Sequence, residues 1–127
     1  MNYDTLYEYI VQHGGGTFDA CGYSLEDCKC YAVAVHPEFS FTALRLTAPI
    51  VELAFVQYRK VFDEPYSGGL GFWFNEVDKL WSIEAVALCP ERRIAECYAW
   101  EYKQIAIYHL DCTVPVEQRC IYIGGQS

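Results

Sequence analysis

A chain of 127 residues has the length of one domain, and its 53% apolar, 17% aromatic and 20% charged composition excludes an intrinsically disordered polypeptide. Seventeen acidic against nine basic side chains leave a net charge of −8, which sets the molecule against direct contact with nucleic-acid phosphates or anionic lipid. No apolar run approaches the roughly 20 residues of a membrane-spanning helix. The first ten residues carry Asp4 and Glu8 where a signal peptide has basic residues, so a cytoplasmic protein with reduced cysteines is expected.

In chain order, Tyr3, Leu6, Tyr7, Ile10 and Val11 repeat at helical spacing, with Asp4, Thr5, Glu8 and Gln12 opposite them. Three glycines, 14 to 16, then supply a C-cap. "TFDAC", a turn around "GYSLED" and the alternating "CYAVAV" predict a long β-hairpin ending at His36-Pro37. Thr47 and Pro49 mark the start of a second helix. Its body, "IVELAFVQYRKVF", is apolar around most of its circumference and is expected to be the most buried.

Beyond the connection "EPYSGGLG", Phe72 and Phe74, then Trp81, Ile83, Ala85 and Ala87, alternate on either side of "NEVDK", predicting a second hairpin. Pro90 opens a third helix in which Arg92 can pair with Glu96 one turn on, and "QIAIYHL" and "RCIYIGG" return as strands. The order α-β-β-α-β-β-α-β-β predicts a single α+β domain over residues 1–127, a mainly antiparallel sheet carrying about three helices.

The stretch "CGYSLEDCKC" brings Cys21, Cys28 and Cys30 close in sequence, with His36 just beyond. Structural zinc takes its cysteines in two tight pairs, because a short turn must aim two sulfurs at one ion; C-x6-C-x-C has no second pair. On one extended strand, the Cys28 and Cys30 side chains would stand about 7 Å apart, too far for a disulfide. These four residues nevertheless define the alternative reading, a small cysteine-dependent enzyme or thiol-metal protein. His13, His36 and His109 fall in no local catalytic signature, and neither glycine cluster matches a phosphate-binding loop. No catalytic residue and no cofactor are expected.

Charge and aromatic surface remain. Residues 1–44 hold six acids, Asp4, Glu8, Asp19, Glu26, Asp27 and Glu38, against Lys29 alone. Such a surface is suited to meet a positive partner. Tyrosine offers contact area at low entropy cost, which adds Tyr3, Tyr7, Tyr23, Tyr66 and Trp73 as interface candidates. The predicted partner-binding set is Asp4, Tyr7, Glu8, Tyr23, Glu26, Asp27 and Glu38.

Four stretches carry a likeness: "GGGTFDA" at 14–20, "GYSLEDCKCYAVAVHPE" at 22–38, "LGFWFNEVDKLWSIEAVAL" at 70–88 and "AECYAWEYKQIAIYHL" at 95–110, with "IGG" near the end. With these the chain resembles small uncharacterised proteins of phages, plasmids and their bacterial hosts. In that pattern a "GG-x-T-[FL]" turn leads to a strand, a tryptophan strand pair follows, and a helix runs into "Q-[IL]-A-[IV]-[WY]-D-[LI]". His109 departs from it, since Asp is commoner there. The resemblance implies a mobile-element setting, in which such proteins are often inhibitors of host defence. Anti-CRISPR proteins that occupy an effector's basic nucleic-acid channel are among them. The expected partner is then a host protein or ribonucleoprotein with a basic groove in the host cytoplasm, without direct nucleic-acid contact. A homodimeric structural protein, using its aromatic surface on a second copy, is the third reading.

Overall fold

The computed structural model describes residues 2–35, 40–59, 68–104 and 106–123. The elements are α1 (Tyr3–His13), β1 (Gly15–Phe18), β2 (Cys30–Val35), β3 (Phe41–Ala43), α2 (Ala48–Tyr58), β4 (Gly68–Asn75), β5 (Leu80–Cys89), α3 (Arg92–Glu101), β6 (Ala106–Leu110), α4 (Val116–Arg119) and β7 (Cys120–Tyr122). The strands form one antiparallel sheet in the order β1-β4-β5-β2-β6-β7, with β3 also on β5. This is the α+β domain that the pattern predicts, enlarged by β3 and the short α4.

Local chemistry sets the helix ends. The Asn2 carboxamide oxygen accepts from the N–H groups of Asp4 and Thr5 at 3.0 and 3.1 Å, and Gly14 takes the left-handed C-cap at φ 74°. Thr47 caps α2 through the Ile50 N–H at 3.3 Å. In α3, Arg92 Nε donates to Glu96 at 3.0 Å, as the spacing predicts. The β4–β5 hairpin runs in register from Gly68↔Ala87 to Asn75↔Leu80. Its turn closes through Lys79, at φ 61°, whose N–H bonds the Asn75 carbonyl at 2.8 Å.

The first predicted hairpin is not formed. "TFDAC" does turn back locally, with Phe18 bridging Ser24, but β1 pairs with β4 and β2 lies between β5 and β6. Register explains the exchange. Phe18 stands opposite Leu70 and Gly16 opposite Phe72, and this puts the Phe18 ring among Tyr9, Phe55 and Phe72, a burial β2 does not offer.

Residues directly opposite in the ladder share a face, so Phe18, Leu70, Phe72, Ile83, Ala85, Val33 and Ile107 all point to one side. That side carries α1 and α2 over β4 and β5, and α3 over β2 and β6 through Ala95 and Ala99. Within α2, Val51, Ala54, Phe55 and Tyr58 are fully buried, whereas Leu53 and Val56 remain 48% and 54% exposed. The helix is therefore one-sided, less enclosed than its composition suggests. The opposite face carries Ala32, Val86 and Leu110, covered by Leu25 and Cys28 from the loop 19–29. Beside them, β2 and β3 follow each other along one edge of β5: Val35 opposes Ala85, Phe41 opposes Ile83, and Glu84 falls between.

Candidate functional site

The loop 19–29 is fastened along its length. The Asp19 carboxylate accepts from the N–H groups of Cys21 and Tyr23 at 2.9 and 3.0 Å, making a compact turn at its tip. Glu26 Oε1 accepts from the Thr17 N–H at 2.9 Å, and Leu25 N–H donates to the Thr17 carbonyl at 2.8 Å. At the loop's end, Lys29 Nζ lies 2.8 Å from Asp27 and 3.0 Å from Asp111. Asp27 also accepts from the Cys112 N–H at 2.9 Å, while Asp111 accepts the Thr113 hydroxyl at 2.6 Å and its N–H at 2.9 Å. Lys29 thus joins two loops that are far apart in sequence.

These bonds set the titration of the hub. Hydrogen bonds from Thr113 and Lys29 hold the Asp111 carboxyl well below the ordinary carboxylate range, and Lys29 and the Cys112 N–H lower Asp27. A carboxyl depressed on folding contributes stability that is complete above its unfolded value of 3.8 and is lost as pH falls through the folded value. Asp111→Asn is therefore expected to lower the melting temperature at pH 7 and to match the wild type increasingly as pH drops below 3.8. Thermal melts at stepped pH check this; a difference unchanged down to pH 2 removes Asp111's charge from the account.

The predicted partner-binding residues fall into two groups on opposite faces of the sheet. Asp4, Tyr7 and Glu8 belong to α1, on the helix-bearing face; Tyr23, Glu26 and Asp27 belong to the covering loop. Glu38, His36 and Tyr66 lie outside the described residues. Glu26 and Asp27 spend their carboxylates on the fold, although the Asp27 side chain stays 54% exposed, and Tyr23 is 72% exposed. Tyr3 packs against Phe55 and accepts from Arg59 at 3.0 Å, and Tyr7 leans on the core, whereas Trp73 is 56% exposed on the opposite face.

Asp4 and Glu8 stand one helical turn apart and are exposed. Asp4 faces Glu52 of α2 across an open cleft of about 700 Å³, lined also by Asn2, Tyr3, Ala48 and Pro49. Neither helix contains Lys or Arg, and among the described residues no ion pair engages Asp4, Glu8 or Glu52. Leu53 and Val56 lie exposed on the same helix as Glu52. Glu52 lies on the narrow polar edge of an otherwise apolar helix sequence, and nothing in the helical spacing singles it out. Its approach to Asp4 depends on how α1 crosses α2, which no local pattern carries.

Groups of nucleophilic or metal-binding type stand apart. His13 Nδ1 lies 2.8 Å from the Tyr9 carbonyl and its ring stacks on Tyr9; the His109 ring stacks on Tyr31 at 4.2 Å with Nε2 3.9 Å from Asp111. Among the described residues no thiol bonds a histidine, and no three His, Cys, Asp or Glu side chains converge as metal ligands. Cys89 is buried and its thiol is pushed up to about 11 by that burial. Glu84 is half-buried on the face opposite the helices, and burial raises its carboxyl. The two cysteines flanking Lys29 do not share one extended strand, because Lys29 takes φ 65° and Cys28 stands outside β2.

No family model, curated protein or solved structure matches the chain. No helix among the described residues is long and apolar enough to cross a membrane.

Proposed function

We propose that this protein is a non-catalytic inhibitor encoded by a phage or mobile element, acting in the host cytoplasm by occupying the basic groove of a nucleic-acid-handling complex, in the manner of an anti-CRISPR protein. The observation that carries this reading is the α1/α2 surface, where Asp4 and Glu52 line one cleft, Glu8 stands exposed one turn along α1, and none of the three forms an ion pair among the described residues. Uncompensated carboxylates beside low-dielectric protein focus a negative potential, which steers association with Lys- and Arg-rich grooves and competes there with phosphates. Leu53 and Val56 beside them supply the apolar area that charge alone lacks, since an interface core is apolar and its rim polar. The net charge of −8 disfavours nucleic acid itself as the ligand.

The test is retention of a bacterial complex on immobilised protein, comparing wild type with Asp4→Lys/Glu8→Lys/Glu52→Lys. All three side chains are exposed, so the variant is expected to fold. Wild type is expected to hold a nucleic-acid-binding complex stripped of its nucleic acid, with retention falling steeply as salt is raised. Charge reversal is expected to cut retention by about 100-fold, roughly the loss of two or more interfacial charge contacts. Retention that survives the reversal at low salt, or a captured complex still loaded with nucleic acid, overturns the proposal.

A further inference from the structure

Of the described residues in the seven strands, Glu84 is the sole Asp, Glu, Lys or Arg. It stands in the middle of β5, and among the described residues no hydrogen bond or ion pair engages its carboxylate. Both oxygens keep an opening to solvent, since no buried side-chain oxygen lacks a partner. A half-buried carboxylate without a donor is destabilising on its own, and an incoming cation would relieve it. Directly across the ladder from Glu84 is Gly71; the next side chain of β4 on that face is the exposed Trp73, opposite Ser82. Residues placed diagonally like Trp73 and Glu84 are about 7–8 Å apart, within reach of long side chains. A Cβ built on Gly71 meets only Val86 and the Glu84 carbonyl, at 3.6 and 3.7 Å, so the absent side chain leaves a notch. Gly69, the next glycine toward the covering loop, is already closed over by Leu25 at 3.1 Å. Glycine inside a strand suits a place where another molecule approaches closely.

We propose that the notch at Gly71 receives an arginine side chain of a partner protein, the guanidinium lying over the Trp73 ring and donating from its edge to Glu84. Charge selects a cation, because Glu84 has no countercharge. Shape then selects among cations. A guanidinium is flat, stacks on an aromatic face and presents paired N–H donors that match a carboxylate, whereas an ammonium is a compact, strongly hydrated point charge. A quaternary ammonium calls for a cage of several rings, and Trp73 is one ring. A nucleobase also has a flat face, but its phosphates would meet a protein of net charge −8. The notch lies on the opposite face of the sheet from the α1/α2 cleft, so either can be lost without the other.

Nα-acetyl-arginine amide is titrated into the isotope-labelled protein while NMR follows the Trp73 indole N–H and the Gly71 and Glu84 amides. Saturable shifts at these groups are expected, with a dissociation constant on the order of 1 mM. Nα-acetyl-lysine amide is expected to bind about tenfold more weakly, and Glu84→Gln to weaken the arginine probe about tenfold, the loss of one charge-assisted contact. Gly71 has no left-handed φ and its Cβ makes only ordinary contacts, so Gly71→Val is expected to fold, to melt no lower than the wild type and to abolish the shifts. The Asp4→Lys/Glu8→Lys/Glu52→Lys variant is expected to bind the probe as the wild type does, which separates this notch from the α1/α2 cleft. The assignment is overturned by the absence of saturable shifts, by equal binding of the lysine probe, or by saturation with guanosine. Arginine binding that survives Gly71→Val, or a dimer of the free protein that Gly71→Val dissociates, overturns it as well.

Discussion

Phe55→Ala is expected to destabilise the protein by about 3–5 kcal/mol, the range for truncating a buried aromatic ring. Phe55 has no exposed surface, and its ring is surrounded by Tyr3, Phe18 and Phe72 with centroids 6.0, 6.4 and 6.2 Å away. These neighbours come from α1, β1 and β4, so the cavity would open where three elements meet, and none of them can collapse into it without leaving its own partners. Domains of this size have a total stability of roughly 5–15 kcal/mol, so the loss is a large share of it. Urea unfolding followed by tryptophan fluorescence measures the change. Phe55→Leu keeps most of the volume and is expected to lose well under half as much; equal losses would mean that shape, not cavity, sets the cost.

Gly15→Ala carries the second large effect. Gly15 has φ 149°, a conformation open almost only to glycine, and a Cβ built on it meets the Phe72 carbonyl oxygen at 2.5 Å. Backbone strain on the order of 1–3 kcal/mol is joined by a clash with an atom of β4 that cannot rotate away. The expected result is separation of β1 from β4, with loss of the Phe18 ring from the core. Gly14→Ala is the internal control: φ is 74°, nothing lies within 4 Å of the added carbon, and the expected cost is about 1–2 kcal/mol. Amide exchange at Thr17 and Phe18 should accelerate in the Gly15 variant and hardly change in the Gly14 variant. Equal destabilisation would remove the steric part of the argument.

What the sequence made legible follows the range of each interaction. The α1 cap, the Thr47 start of α2, the Arg92–Glu96 pair and the β4–β5 hairpin are fixed within a few residues, and each stands where the pattern puts it. The pairing of β1 is fixed at long range. The turn after Phe18 is real, yet the strand it introduces joins β4, more than fifty positions on, because a place between Tyr9, Phe55 and Phe72 outweighs a local ladder. The charged candidates divide in the same way. Asp4 and Glu8 lie on a helix whose outer face is evident from periodicity. Glu26 and Asp27 have the same composition, but their partners, Thr17 and the Cys112 N–H, become visible only in three dimensions. Lys29 is the extreme case: no propensity assigns a left-handed conformation to lysine, and half of its ion pairing comes from Asp111, 82 residues away.

The seating of the covering loop also constrains the order in which the molecule can be assembled. Its floor is made of Ala32 from β2, Val86 from β5 and Leu110 from β6, three strands that are widely separated along the chain. Until all three are in register there is nothing for Leu25 and Cys28 to rest on, and no Leu110 carbonyl or Asp111 carboxylate to hold Lys29. The loop is made early during synthesis but closes late, after residue 111 has arrived. A nascent chain lacking its last strands keeps the "CGYSLEDCKC" segment open, with its thiols and carboxylates in water.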